Sequence, residues 1–108
     1  MDTEFEKYIV DGKVGVLVSH GFGDGWSSWA SAETGPAMAM DKRIVEAFIR
    51  GGSSAASEEA AKHFPDNYLG GAGDLAIEWV DQGSRFDIRE YDGSETLHVY
   101  GHADGWVA

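Results

Sequence analysis

Residues 19–29, Ser-His-Gly-Phe-Gly-Asp-Gly-Trp-Ser-Ser-Trp, constrain the fold more than any other stretch of the chain. Glycines at alternate positions defeat both helix and strand, so the apolar run that enters at Val14–Val18 must end in a loop. Two tryptophans, a phenylalanine and a histidine on that loop bring more aromatic surface than a solvated connection tolerates. Such a loop either closes over one end of a core or lines a shallow site. The candidate binding residues are therefore His20, Phe22, Asp24, Trp26, Ser27, Ser28 and Trp29. Trp26 and Trp29 are three apart and share a face if residues 27–33 make a helical turn before Gly35-Pro36 interrupts it.

The flanking sequence supplies the frame. Phe5–Val10 and Val14–Val18 have the aromatic and β-branched content of strands, and Asp11-Gly12 between them is a type I′ turn signal, which predicts a hairpin. Val14, Val16 and Val18 fall on one face; Gly15 and Leu17 fall on the other, which predicts a central strand with a neighbour packed closely over Gly15. Asp41 is placed to cap a helix over 42–50, with Ile44, Val45, Phe48 and Ile49 on one face and Gly51 as its stop. A second helix over 54–64, ended by Pro65, has only an alanine face and should lie at the surface, anchored by Phe64.

After a second glycine-rich connection at 66–74, alternation returns in three segments. Leu75, Ile77 and Trp79, then Phe86 and Ile88, then Leu97 and Val99 are expected to face the core. Glu78, Asp87, Glu90, Asp92 and Glu95 are expected to form an acidic surface on the solvated side. The order β-β-α-α-β-β-β predicts an α+β fold for residues 1–108 as a single domain. Its expected form is a twisted, mostly antiparallel five-stranded sheet with two helices packed on one face.

The composition narrows the chemistry. Nineteen acidic against eight basic residues give a formal net charge of -11, a field that repels nucleic acids and anionic membranes and attracts basic surfaces. With no cysteine there are no disulfides, no thiolate catalysis and no cysteine-ligated metal. The acidic start, Met1-Asp2-Thr3-Glu4, has no basic or apolar leader character, and no apolar stretch approaches a membrane span. A cytoplasmic protein is expected.

Enzymatic readings fare poorly. Val16–Gly23 resembles the strand-to-oxyanion-loop segment of α/β-hydrolases over about eight residues, but there is no Gly-x-Ser-x-Gly elbow. The loop spacing is Gly-x-Gly-x-Gly, without the Gly-Lys-Ser/Thr ending of a phosphate-binding P-loop, and Asp24 sits inside it. His98 and His102 stand about 13 Å apart on a strand, so they share an ion with His20 or Asp104 only if Gly101 bends the chain sharply. Nineteen acids guarantee chance carboxylate pairs and so nominate none as acid and base. The expectation is no catalytic residue, no metal and no cofactor.

Several segments together resemble a family of small phage- and prophage-associated proteins with no assigned activity. They are 12–19 (Gly-Lys-Val-Gly-Val-Leu-Val-Ser), 21–29 (Gly-Phe-Gly-Asp-Gly-Trp-Ser-Ser-Trp), 41–46 (Asp-Lys-Arg-Ile-Val-Glu), 70–80 (Gly-Gly-Ala-Gly-Asp-Leu-Ala-Ile-Glu-Trp-Val) and 86–95 (Phe-Asp-Ile-Arg-Glu-Tyr-Asp-Gly-Ser-Glu). The marks of that family are the Gly-x-Gly-x-Gly-Trp-Ser-x-Trp loop and the Glu-Tyr-Asp-Gly-x-Glu hairpin. What the resemblance implies is a setting: an accessory protein in a bacterial host cell that binds a host component. One form would be an inhibitor of a nucleic-acid-directed defence enzyme, of the anti-CRISPR kind, whose basic surface meets the acidic one. The alternative is a small-ligand binder, such as a sponge for a nucleotide signal, using the loop from Gly21 to Trp29; a small hydrolase comes third. The edge strand at 95–100 and Trp106 are candidates for pairing two chains in a homodimer.

Overall fold

A computed structural model of the chain describes residues 5–20, 25–30, 34–65, 75–91, 94–100 and 106–108. The elements are β1 (Ile9–Val10), β2 (Lys13–Ser19), a single 3₁₀ turn (Ser27–Trp29), α1 (Gly35–Met40), α2 (Lys42–His63), β3 (Leu75–Asp81), β4 (Arg85–Tyr91), β5 (Ser94–Tyr100) and β6 (Trp106–Val107). The class is α+β, but the expected five-stranded sheet is replaced by two antiparallel sheets of three strands, ordered β1-β2-β3 and β5-β4-β6.

The hairpin at the start forms as its turn sequence dictates. Asp11 and Gly12 both take positive φ, 52° and 78°, and Val10 pairs with Lys13 across the two-residue turn. β2 then pairs with β3 along its whole length, from Lys13↔Asp81 to Ser19↔Leu75. β2 is thus central, and residues Val14 to Ser19 are all buried.

The two faces of β2 serve different cores. Val14, Val16 and Val18 pack with Ala39, Met40, Val80, Phe86 and Ala108, between the two sheets and α1. Leu17 on the other face joins Ile44, Val45, Ala56, Ala60, Leu75 and Trp26 beneath α2. A methyl group built on Gly15 would stand 3.2 Å from the Trp79 ring and 3.3 Å from Val45, so the close approach predicted at that glycine is made by β3 and α2 together.

The chain changes sheets between Asp81 and Arg85, where a hairpin pairing β3 with β4 is the simple expectation. Instead the turn bonds outward: Gln82 N–H donates to Gly12 O (2.9 Å), Gly83 N–H to Ala108 O (2.7 Å), and Ala108 N–H to Ser84 O (2.9 Å). β4 is thereby turned away to pair with β5 on one side and β6 on the other.

Gly35-Pro36 does not interrupt a helix; it begins α1, with proline in the first turn, where its missing N–H is not needed. Asp41 caps the next helix as expected, its carboxylate accepting from Arg43 N–H at 2.9 Å. α2 is broken at Gly52, whose φ of 77° and ψ of -161° lie outside helical space. A straight helix would separate residues 43 and 63 by roughly 30 Å. Yet Arg43 Nη1 lies 3.1 Å from His63 Nδ1, so the break folds the two arms back on each other. The two predicted helices are therefore the arms of one helical hairpin. The alanine face of the second arm is its inner face, with Ala56 and Ala60 fully buried and Phe64 packed beside them.

Candidate functional site

The most unusual arrangement in the molecule is built on Glu95, at the start of β5. Its side chain belongs to a residue only 2% exposed, and among the described residues every partner it has is a donor. Oε1 accepts from Ser19 N–H at 2.9 Å. Oε2 accepts from Trp26 N–H at 2.8 Å, Ser28 N–H at 2.9 Å and Ser28 Oγ–H at 2.6 Å. One carboxylate thus holds the residue that enters the glycine-rich loop and the turn that leaves it. Charge-assisted bonds of this kind are among the stronger ones a fold can make. Glu95 is consequently not part of an acidic surface. Strand parity explains the difference: residues 95 and 97 share a face, and Leu97 packs against the core between the sheets.

Trp26 is fully buried, and its indole N–H donates to Met38 O at 2.8 Å. It closes the core beneath α2 and is not available to stack on a ligand. Ser27 is buried as well, with an Oγ that has no hydrogen-bond partner among the described residues. His20 is exposed at the mouth of the loop, where Nε2 lies 3.2 Å from Glu78 Oε2, and Ser94 Oγ donates to His20 O at 3.3 Å. Phe22, Asp24 and the side chain of Trp29 lie outside the described residues, as does Asp92.

The remaining acidic candidates differ in exposure. Glu78 is half-buried beside His20, while Glu90 is exposed. Asp87 is half-buried; its Oδ2 stands 3.6 Å from Arg89 Nε, and its Oδ1 is buried with no hydrogen-bond partner among the described residues. Two of the expected core residues are also displaced outward, although Leu75 and Leu97 on the same strands and faces stay packed. Trp79 on β3 is 44% exposed and Val99 on β5 is 58% exposed.

A second polar chain joins the arms of α2. Buried Asp41 receives Arg43 Nε at 3.0 Å and Nη2 at 2.6 Å, and the bond to Asp41 holds the Arg43 guanidinium above its ordinary pKa. Arg43 Nη1 can only donate, so His63 Nδ1 accepts and its Nε2–H donates to Glu59 at 2.8 Å. That bond, with Lys62 beside it, pulls the Glu59 carboxyl below its ordinary pKa. The sequence signal for this chain was faint, because no short-range pattern links residue 43 to residue 63 until the helix breaks.

Among the described residues no group of three His, Asp or Glu side chains converges as a metal site would require, and His102 and Asp104 lie outside them. No described helix is long and apolar enough to cross a membrane. No protein-family model, curated protein or solved structure matches the chain. The functional reading rests on the residues themselves. Chemically, the loop-and-Glu95 assembly is a structural fastening: its carboxylate is occupied by four donors and its best aromatic is in the core.

Proposed function

We propose that the chain is a non-enzymatic binding protein whose negative surface engages a partner with a basic one, in the manner of a phage-type accessory protein that inhibits a host's nucleic-acid-directed defence enzyme. The observation that carries this reading is where the charge sits. Among the described acidic residues only Asp41 and Glu95 are buried, and both are engaged by donors within the fold. The other described acidic residues are exposed or half-buried, and on a chain of net charge -11 that outward charge repels nucleic acids and anionic lipids and steers a cationic protein surface inward. The setting this implies is the cytoplasm of a bacterial host cell. The small-ligand alternative is weakened by the burial of Trp26, which removes one of the two rings it needed.

The test is affinity capture from a bacterial lysate with the full chain as bait. The expected result is recovery of a basic protein in 50 mM salt that is released at about 0.5 M, where screening shortens the reach of exposed charges to roughly 4 Å. Failure to recover any basic protein at low salt overturns the proposal.

A further inference from the structure

A groove of about 620 Å³ runs between the extended segment at 5–10 and the first turns of α2. Its apolar lining is Phe5, Tyr8, Ile9 and Val10, with Ile9 and Val10 each more than 40% exposed. Tyr8 also touches the half-exposed Trp79, their ring centroids 6.1 Å apart, so the aromatic surface continues past the groove onto β3.

Four charged groups line the same groove: Glu6 and Lys42 neutralise each other, while Lys7 is held on a neutral carbonyl and keeps its charge. Lys42 Nζ pairs with Glu6 Oε2 at 3.3 Å, and Lys7 Nζ donates to the backbone carbonyl of Val107 at 2.7 Å. Glu46 has neither a hydrogen bond nor an ion pair among the described residues. The groove therefore offers an aliphatic and aromatic wall beside one uncommitted carboxylate, on a molecule whose long-range field is strongly negative. That combination selects a side chain with an apolar stem and a cationic head. A second copy of the chain is disfavoured as occupant, since two bodies of charge -11 repel.

We infer that this groove receives an arginine-bearing extended segment of a protein partner, with the arginine stem laid along Tyr8, Ile9 and Val10 and its guanidinium on Glu46. The inference rests on the binding reading above and adds to it the place of contact and the residue that is read. Arginine suits the site better than lysine because its planar head can stack on Tyr8 while making a two-pronged contact with the carboxylate.

The test uses the peptide acetyl-Ile-Arg-Val-Arg-Leu-amide and its neutral twin with citrulline in place of both arginines, titrated into the ¹⁵N-labelled full chain. The expected result is a set of saturable amide shifts concentrated at residues 5–10 and 42–46. Glu46→Gln should weaken binding at least fivefold, as should the citrulline peptide. Glu58→Gln, which removes an equal charge from an exposed position on the second arm of α2, should change it less than twofold. The inference is overturned if the two glutamate variants weaken binding equally, if the shifts spread over the sheets' acids, or if the citrulline peptide binds as well. Should Glu46→Gln leave lysate capture of a salt-sensitive basic partner unchanged, the groove assignment fails while the binding reading stands; absence of any such partner removes the reading itself.

Discussion

Replacing Glu95 by glutamine changes one oxygen to an amide nitrogen with almost no change in volume, and four hydrogen bonds must be redistributed around it. The best rotamer leaves the remaining oxygen at the Oε2 position, where it keeps Trp26 N–H, Ser28 N–H and Ser28 Oγ–H as partners. The amide then faces the N–H of Ser19, donor against donor, in a residue that is 1% exposed. Losing that charge-assisted bond and stranding the Ser19 donor costs about 2–3 kcal/mol, and neutral acceptance by the surviving oxygen weakens the other three bonds further, for a total of about 3–5 kcal/mol. Glu95→Ala removes every acceptor, and its cost of about 5 kcal/mol or more reaches the lower bound of whole-domain stability. Urea titration followed by tryptophan fluorescence and far-ultraviolet circular dichroism measures both. A cycle with Ser28→Ala should return a coupling of about 0.5–2 kcal/mol, because its hydroxyl donates to the same oxygen. An Glu95→Gln loss below about 1 kcal/mol, or additivity with Ser28→Ala, would refute the claim that this carboxylate fastens the loop.

Two further outcomes are expected. Gly15→Ala places a methyl group 3.2 Å from the Trp79 ring and 3.3 Å from Val45, and should destabilise the fold by about 1–3 kcal/mol; because Trp79 is the more exposed neighbour, Trp79→Ala should recover part of that loss in a denaturation cycle. Glu59 titrates below its ordinary value of 4.5, chiefly through the bond from His63, so its contribution to stability is present above that value and is lost as pH falls through the lowered one. The urea midpoints of the parent and Glu59→Gln should therefore differ at pH 6 and converge as the pH is lowered below 4.5; a constant gap down to full protonation would contradict the sign.

Much of the fold is legible in short-range pattern. The Asp11-Gly12 hairpin, the burial of both faces of β2, the close approach over Gly15 and the Asp41 cap follow from local chemistry and are present, while the helix stop expected at Gly51 falls one residue later, at Gly52. What local pattern does not carry is which strands pair. Alternation at 75–80 and 84–91 is the same whether the segments form one sheet or two, and the decision lies with backbone groups of residues 12 and 108 that capture the intervening turn. The site was half legible. The density of aromatic side chains on the loop leaves Trp26 as either a closing residue or a binding one, and only its burial in the fold decides for closing. Glu95 was readable in principle, since it shares strand parity with Leu97, but an acidic residue after an Asp-Gly turn reads as solvated unless its donors are known. Three of those four donors are backbone groups far away in the chain, which no side-chain pattern announces.

The separation between Glu95 and the groups it holds also sets an order of assembly. Ser19, Trp26 and Ser28 precede their acceptor by 76, 69 and 67 residues. On a ribosome making roughly 5–20 residues per second, the hairpin and both arms of α2 emerge seconds before the carboxylate that locks the loop. During that interval the backbone N–H groups of Ser19, Trp26 and Ser28 await a partner that has not been made. The loop is therefore completed late, and a chain released before β5 retains the sequence of the corner without the means to hold it.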